Sequence, residues 1–167
     1  MIKSEEDLIE AILLNIEKKY SPEKEDTDYP CYPDEERALA VVYEYLGFQQ
    51  TNGYTSIFRP HFNLKIYSEA LWEIGLKDLS DDLKKLINEN GEDFLKNQIK
   101  ENYNLEEVHE KEEELRQKYI NESNRFDAGG VDDLEAMVQY MKNKKIIEKY
   151  MDNEILMWLE SRRPDLL

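Results

Sequence analysis

The amino-acid sequence predicts an all-α fold, a single compact domain of about seven or eight helices. Apolar residues recur at intervals of three and four along most of the chain, which is the spacing of one face of an α-helix. The 167 residues include only six glycines and five prolines, too few turn residues for the closely spaced turns of a β-sandwich or barrel. A chain of this length suits one domain, and we predict that this domain spans residues 1–167.

The N-terminal part predicts two helices with a loop between them. The first helix begins at Glu5 after the cap residue Ser4 and ends before Ser21. Residues 21–33 contain three prolines and a cluster of charges, which indicates an exposed loop. The second helix opens at Asp34, and its apolar residues are spaced for a core: Ala38, Leu39, Val41, Val42, Tyr45 and Leu46.

The dipeptide Asn52-Gly53 allows two interpretations. Asn-Gly is a strong hairpin signal, and Tyr54, Ser56 and Phe58 alternate after it. However, the residues before it continue a helix, and an isolated two-stranded hairpin is only marginally stable in water. A glycine just beyond a helical run is also the usual C-terminal cap. We therefore predict that two helices meet at this corner.

The middle of the chain predicts short helices separated by turns. Pro60 limits one helical piece, and a longer helix runs from Asn63 to a stop at Gly75. Ser80 is the predicted cap of the next helix, which ends before Gly91. A shorter helical piece is expected to follow.

The C-terminal part predicts three further helices. The first, over residues 105–122, is the most charged in the chain. Asp132 and Asp133 open the second. A last helix carries apolar residues from Ile146 onward and ends at Arg162.

The charge balance restricts the classes of partner. The chain carries 38 acidic and 22 basic side chains, for a net charge of −16. Such a chain repels phosphates, which disfavours direct binding of nucleic acid or of anionic membranes. No stretch approaches the roughly 18 uncharged apolar residues of a membrane span, and the acidic N-terminus does not match a signal peptide, so we expect a cytoplasmic location. The charge fits either a solubilising surface or an acidic surface matched to a basic partner.

Few residues offer catalytic chemistry. Cys31 is the single cysteine and has no histidine nearby in the sequence. Glu106 and His109 have a spacing found in dimetal bundles, but such bundles need a second motif of the same kind. We therefore predict no catalytic residue, no cofactor and no metal. A hydrolase or metal-dependent enzyme with an unrecognised pocket, built around His61 or His109, is the alternative.

The 105–122 helix predicts an acidic surface. Three of its glutamates have a basic residue four positions later, and these predicted pairs are Glu107–Lys111, Glu112–Arg116 and Glu114–Lys118. For three others, Glu106, Glu110 and Glu113, we predict no basic partner three or four positions away on the same ridge of the helix, and they form a line with steps of roughly 5–6 Å. We predict that these three residues, with Asp132 and Asp133, bind a partner. A face that is merely solvated is the alternative.

Residues 38–86 show a family resemblance. The stretches ALAVVYEYLGFQQTNGYTSIFRPHFN and YSEALWEIGLKDLSDDLKKL resemble a bacterial family of unknown function that includes a characterised DNA-mimic protein. The matching positions are Asn52-Gly53-Tyr54 at the turn, Phe58, Asn63, Ala70-Leu71 and Ile74-Gly75. This chain departs from the family pattern where Tyr54 stands in place of a second glycine and phenylalanine, and where Pro60 intervenes.

The resemblance implies an all-helical fold and an acidic protein, often a homodimer, that occupies a DNA-binding partner such as a transcriptional regulator. The predicted function is therefore a non-enzymatic, acidic protein-binding module, with DNA mimicry as its specific form. An immunity or antitoxin-like protein that neutralises a toxin is the alternative within the same class.

Overall fold

Every regular element in the described residues is helical, which confirms the predicted all-α fold. The structure, a computed structural model, describes residues 2–20, 29–52, 63–91, 110, 113–114, 116–122, 124 and 131–167, without the side chains of 51, 52, 131 and 132. Its helices are α1 (Glu5–Tyr20), α2 (Asp34–Asn52), α3 (Leu64–Ile74), α4 (Lys77–Asn90), α5 (Val131–Asn143), α6 (Ile146–Tyr150) and α7 (Asn153–Arg162), followed by a 3-10 turn (Pro164–Leu166). The described residues of 110–124, here called the 110–124 segment, are helical except for a turn at Tyr119.

Helix α1 has the predicted bounds because both its cap and its apolar face are present. The Asp7 backbone N–H donates to Ser4 Oγ over 3.1 Å, and the Asp7 carboxylate accepts from the Lys3 N–H over 2.7 Å. These bonds satisfy donors that the first turn cannot pair internally. The side of α1 that faces the core carries four fully buried side chains: Leu8, Ile9, Ile12 and Ile16.

Helix α2 begins at Asp34 as predicted, and all six of its predicted core residues are buried. The helix extends to Asn52, so the residues before the predicted corner form a helix and not a hairpin strand. Residues 53–62 lie outside the described part of the chain. The connection at Asn52-Gly53 therefore stays a prediction.

Helices α3 and α4 form a tightly connected pair. Asn63 Oδ1 accepts from the Ile66 N–H over 3.3 Å at the start of α3, and Gly75 ends it in the left-handed conformation at φ 101°. The prediction that Ser80 caps the next helix is wrong, because α4 already begins at Lys77. Ser80 is buried inside α4, where its hydroxyl donates to the Ser68 carbonyl over 2.7 Å.

The prediction of one last helix is also wrong, because the chain breaks between α6 and α7. The Asp152 carboxylate accepts from the Glu154 and Ile155 N–H groups, both over 3.0 Å, and so begins a new helix. Asn15 of α1 fixes the break, since its amide donates to the Tyr150 carbonyl and to Asp152 Oδ2, both over 3.0 Å.

One hydrophobic cluster contains buried side chains from all seven helices. Within it, α3 packs against α2 and α4, while α1 packs against α5 and α6. The prediction of an exposed loop over 21–33 is wrong at Tyr32, which is 7% exposed and lies 5.7 Å from Tyr20 between ring centroids. Cys31 beside it is exposed, and residues 21–28 lie outside the described residues.

Candidate functional site

The predicted acidic line is described at two of its three positions. Glu110 and Glu113 are exposed helical residues of the 110–124 segment, and Glu106 lies outside the described residues. The prediction that Glu113 lacks a basic neighbour is wrong, because Arg116 Nη1 lies 4.0 Å from its carboxylate. The Gln117 amide also donates to Glu113 over 2.8 Å. Both members of the ion pair are more than half exposed, so the pair neutralises Glu113 only weakly.

The inner side of the 110–124 segment is attached to the C-terminal end of α4. The buried Tyr119 hydroxyl donates to Glu89 Oε2 and accepts from the Asn90 amide, both over 2.7 Å. The buried Glu122 forms an ion pair with Lys85. Lys118, the partner predicted for Glu114, makes its ion pair with Glu89 at 4.0 Å. The exposed acids of this segment therefore project from an anchored helix.

The two predicted aspartates of α5 are placed differently from the acidic line. Asp132 lies in the first turn of α5, and its side chain is outside the described residues. Asp133 is partly buried and lies near the phenol of Tyr45. Burial, followed by the charges of Asp82 and Asp133, raises the pKa of the Tyr45 phenol. Asp133 is thus less accessible to a partner than the exposed Glu110 and Glu113.

A second set of acids, which the sequence analysis overlooked, lies on α1. Glu6, Glu10 and Glu17 are exposed on the solvent-facing side of this helix, and we call them the α1 acidic row. At 100° per residue they fall within a sector of about 40°, and they extend over about 16 Å of helix axis. The i, i+4 and i+11 spacing of these three acids is readable from the sequence. No basic nitrogen among the described residues lies within 4.0 Å of these three carboxylates.

Tyr43 of α2 lies beside this row, and the negative charges of the row act on its phenol. Its hydroxyl donates to Glu10 Oε1 over 2.7 Å. Burial raises the pKa of the Tyr43 phenol, and the bond to Glu10 and the charges of Glu10, Glu6 and Asp7 raise it further. At the other end of the row, burial together with the charges of Glu17 and Cys31 raises the pKa of Tyr32 to about 12. The phenols therefore stay protonated beside an accumulation of negative charge.

The same phenol–carboxylate pairing recurs between helices elsewhere in the fold. Four such bonds measure 2.7 to 2.8 Å, and the pairs are Tyr43–Glu10, Tyr119–Glu89, Tyr140–Glu73 and Tyr150–Glu36. In three of these pairs the carboxylate also has a lysine partner: Glu36 with Lys149, Glu73 with Lys144 and Glu89 with Lys118. Glu10 differs, because its described polar partner is the phenol alone. No lysine of the described residues therefore forms an ion pair with Glu10.

The alternative of an enzyme depends on two histidines that lie outside the described residues. His61 and His109 are not among the described residues. Within the described part of the chain, no group of three or more metal-ligating side chains lies together. The enzyme alternative stays a hypothesis.

Two further findings concern membrane-spanning helices and similarity to known proteins. None of the helices in the described ranges has both the length and the apolar character needed to cross a membrane. Comparisons with protein-family models, with curated proteins and with solved structures each find no match. The family resemblance of residues 38–86 accordingly remains a hypothesis.

Proposed function

We propose that this chain is a non-enzymatic, acidic module that binds a basic protein through the α1 acidic row, and that it acts as a DNA mimic on the nucleic-acid-binding surface of that partner. The supporting observation is the row itself: three exposed carboxylates on one helix face, with no basic nitrogen of the described residues within 4.0 Å of them. Glu110 and Glu113 form a second proposed acidic surface on the 110–124 segment, with Glu106 and Asp132 as their predicted neighbours.

The rigidity of α1 favours binding over mere solubility. The face behind the row is fully buried at Leu8, Ile9, Ile12 and Ile16, so the backbone that carries the carboxylates is fixed by the core. Tyr43 additionally orients Glu10. Charges that are held in place before association lose less conformational entropy when a partner binds. Like charges four residues apart, as in Glu6 and Glu10, also destabilise a helix slightly. Acidic residues placed elsewhere on the surface would give the same solubility without this loss of helix stability.

The sign of the charge determines the class of partner. A net charge of −16 disfavours phosphate-rich ligands and favours surfaces rich in lysine and arginine. Proteins that bind nucleic acid present such surfaces, because they must neutralise a regular array of phosphates. Three carboxylates along one face of a helix offer a short series of negative charges to such a surface. The resemblance of residues 38–86 to a family with a DNA mimic agrees with this proposal.

Charge reversal with a matched control tests the proposal. The variant Glu6→Lys, Glu10→Lys, Glu17→Lys is compared with Glu69→Lys, Glu148→Lys, Glu160→Lys, which reverses three exposed acids on other helices and changes the net charge equally. Tagged proteins capture partners from a bacterial lysate at about 0.05 M and about 0.5 M salt. We expect the wild type and the control to capture the same basic protein at low salt only, and the α1 variant to lose it. Equal capture by both variants would contradict the role of the row.

Competition with duplex DNA separates mimicry from toxin neutralisation. If the module occupies a DNA-binding surface, a DNA duplex must release the captured protein in proportion to its concentration. A captured partner that is toxic to cells, and that DNA of any sequence leaves bound, would replace mimicry by the immunity alternative.

A further inference from the structure

Two lysines flank Trp72, the largest of the exposed apolar side chains in the described residues. The Trp72 side chain belongs to α3 and is 47% exposed. The Nζ atoms of Lys77 and Lys84, both in α4, lie 5.0 and 4.3 Å from the centroid of its ring. Lys84 also pairs with Asp81 at 3.6 Å, whereas no carboxylate of the described residues lies within 4.0 Å of Lys77 Nζ. We call Trp72, Lys77 and Lys84 the tryptophan–lysine patch.

Helix α1 carries the opposite charges at the same spacing. Leu14 is 54% exposed, and it lies four positions after Glu10 and three positions before Glu17. These offsets place the leucine beside the two acids on one side of the helix. Glu10 and Glu17 are seven positions apart, and so are Lys77 and Lys84. Seven helical residues return to nearly the same face after about 10 Å, so each helix presents two like charges at the same interval.

We propose that the tryptophan–lysine patch binds the exposed side of α1 in a second copy of this chain. Leu14 of one copy packs on the Trp72 indole of the other, and the two acids beside the leucine pair with the two lysines of the patch. Removal of two exposed apolar side chains from water favours the contact. The equal spacing of the opposite charges sets the register of the two helices and disfavours other alignments.

The net charge of −16 opposes this association, and salt determines how strongly. At about 0.15 M ionic strength the Debye length is about 8 Å, so charges far from the contact are largely screened while adjacent opposite charges still attract. The inference goes beyond the proposed function, because the patch is a separate surface. The two proposals share Glu10 and Glu17, so a second copy and a basic partner compete for the same side of α1.

An exchange of charges tests whether the two surfaces meet. One variant is Glu10→Lys, Glu17→Lys, and the other is Lys77→Glu, Lys84→Glu. In each variant the two surfaces carry like charges, so we expect each variant alone to stay monomeric at about 0.15 M salt, where the wild type self-associates. In an equimolar mixture the surfaces of the two variants are again opposite in charge, so association should return. The mixture has the wild-type net charge on average, which excludes an effect of overall charge.

Analytical ultracentrifugation at up to about 1 mM protein measures the association, and circular dichroism verifies that both variants are helical. A wild type that stays monomeric at this concentration would overturn the inference. Folded variants that do not associate in the mixture would overturn it as well. Both measurements use the purified chain alone, so their failure leaves the capture of a basic protein from lysate unaffected.

A pair of alanine variants gives a second test without any change of charge. Leu14→Ala and Met157→Ala each shorten an exposed apolar side chain on a helix, but Met157, 71% exposed, lies on α7 outside the proposed contact. We expect Leu14→Ala to raise the dissociation constant of self-association about fivefold or more, and Met157→Ala to leave it unchanged. Equal constants for the two variants would remove Leu14 from the contact and refute the proposed alignment.

Discussion

The hydroxyl of Tyr150 donates a 2.8 Å hydrogen bond to Glu36, a carboxylate that is 1% exposed between α2 and α6. Lys149 binds the same Glu36 oxygen. The bundle thus contains a buried charge that two neighbours from one short helix satisfy. A buried charge without such partners would cost several kcal/mol, on the order of the stability of a whole domain.

Removal of the Tyr150 hydroxyl tests the energetic value of this pair. We expect Tyr150→Phe to lower the free energy of unfolding by about 1–2 kcal/mol, because the buried acceptor loses a donor. Tyr43→Phe is the control at the surface, where water replaces the lost donor to Glu10, and we expect it to cost less than about 1 kcal/mol. Urea unfolding at neutral pH measures both values. Equal losses would show that burial of Glu36 does not strengthen the pair.

The pKa of Glu36 predicts a loss of stability in acid. Burial alone would raise this pKa, but the hydrogen bonds from Lys149 and Tyr150 outweigh burial and hold it below its ordinary value of 4.5. A carboxyl with a depressed pKa in the folded state adds stability above its unfolded pKa, and that stability is lost as pH falls through the folded pKa. Urea unfolding of the wild type and of Glu36→Gln from about pH 6 to about pH 3 measures the effect. The advantage of the wild type over Glu36→Gln must shrink as the pH falls, and a constant difference would refute the assignment.

The same substitution at two glycines should change stability in opposite directions. Gly75 has φ 101°, and an added Cβ would meet no atom within 4 Å, so the cost of Gly75→Ala is backbone strain alone. We expect a loss of about 1 kcal/mol or more. Gly47 lies inside α2 with similar free space, so Gly47→Ala should stabilise the protein by about 0.5–1 kcal/mol. Thermal unfolding compares the two, and a shift of the melting temperature in the same direction would contradict this explanation.

Asp152 caps the start of α7, and its removal should lower the stability of the fold. Hydrogen bonds from the Ile155 N–H, from Asn15 and from the Glu154 N–H lower the pKa of Asp152, so its carboxylate is charged at neutral pH. We expect Asp152→Ala to cost about 1 kcal/mol, the usual value of a helix cap. Asn153→Ala, one residue later and exposed, is the control and should cost little. An unchanged urea midpoint in Asp152→Ala would mean that the break between α6 and α7 does not depend on this cap.

The two acidic surfaces can be ranked by reversal of each in turn. Glu106→Lys, Glu110→Lys, Glu113→Lys changes the net charge as much as reversal of the α1 row does. We expect a smaller loss of partner capture, because Arg116 and Gln117 already engage Glu113. Capture from lysate at low salt gives the comparison. Complete loss in this variant and none in the α1 variant would move the binding surface to the 110–124 segment.

Local signals in the sequence predicted most helix ends, and contacts between distant residues explain the failures. Ser4, Asp34, Asn63 and Gly75 act within a few residues of their own position, so their effect was predictable. Ser80 resembles a cap in the sequence, but its hydroxyl is used by Ser68 of another helix.

The acidic site shows the same division between local and distant contacts. The periodicity of Glu6, Glu10 and Glu17 was available in the sequence. The hydrogen bond between Glu10 and Tyr43, 33 positions later, was not predictable from that periodicity. The break at Asp152 likewise depends on Asn15, 137 positions earlier in the chain. Arg163 forms an ion pair with Glu5, 158 positions earlier in the chain. Sequence spacing alone cannot identify such partners.

The phenol–carboxylate bonds between helices have a consequence for how this protein tolerates its environment. A phenol is uncharged, so dissolved ions weaken its bond far less than they weaken an attraction between two opposite charges. If a cationic partner binds α1 as proposed, a salt concentration that releases this partner should leave the phenol–carboxylate bonds between the helices in place. Release of the proposed partner therefore need not involve unfolding of the helices.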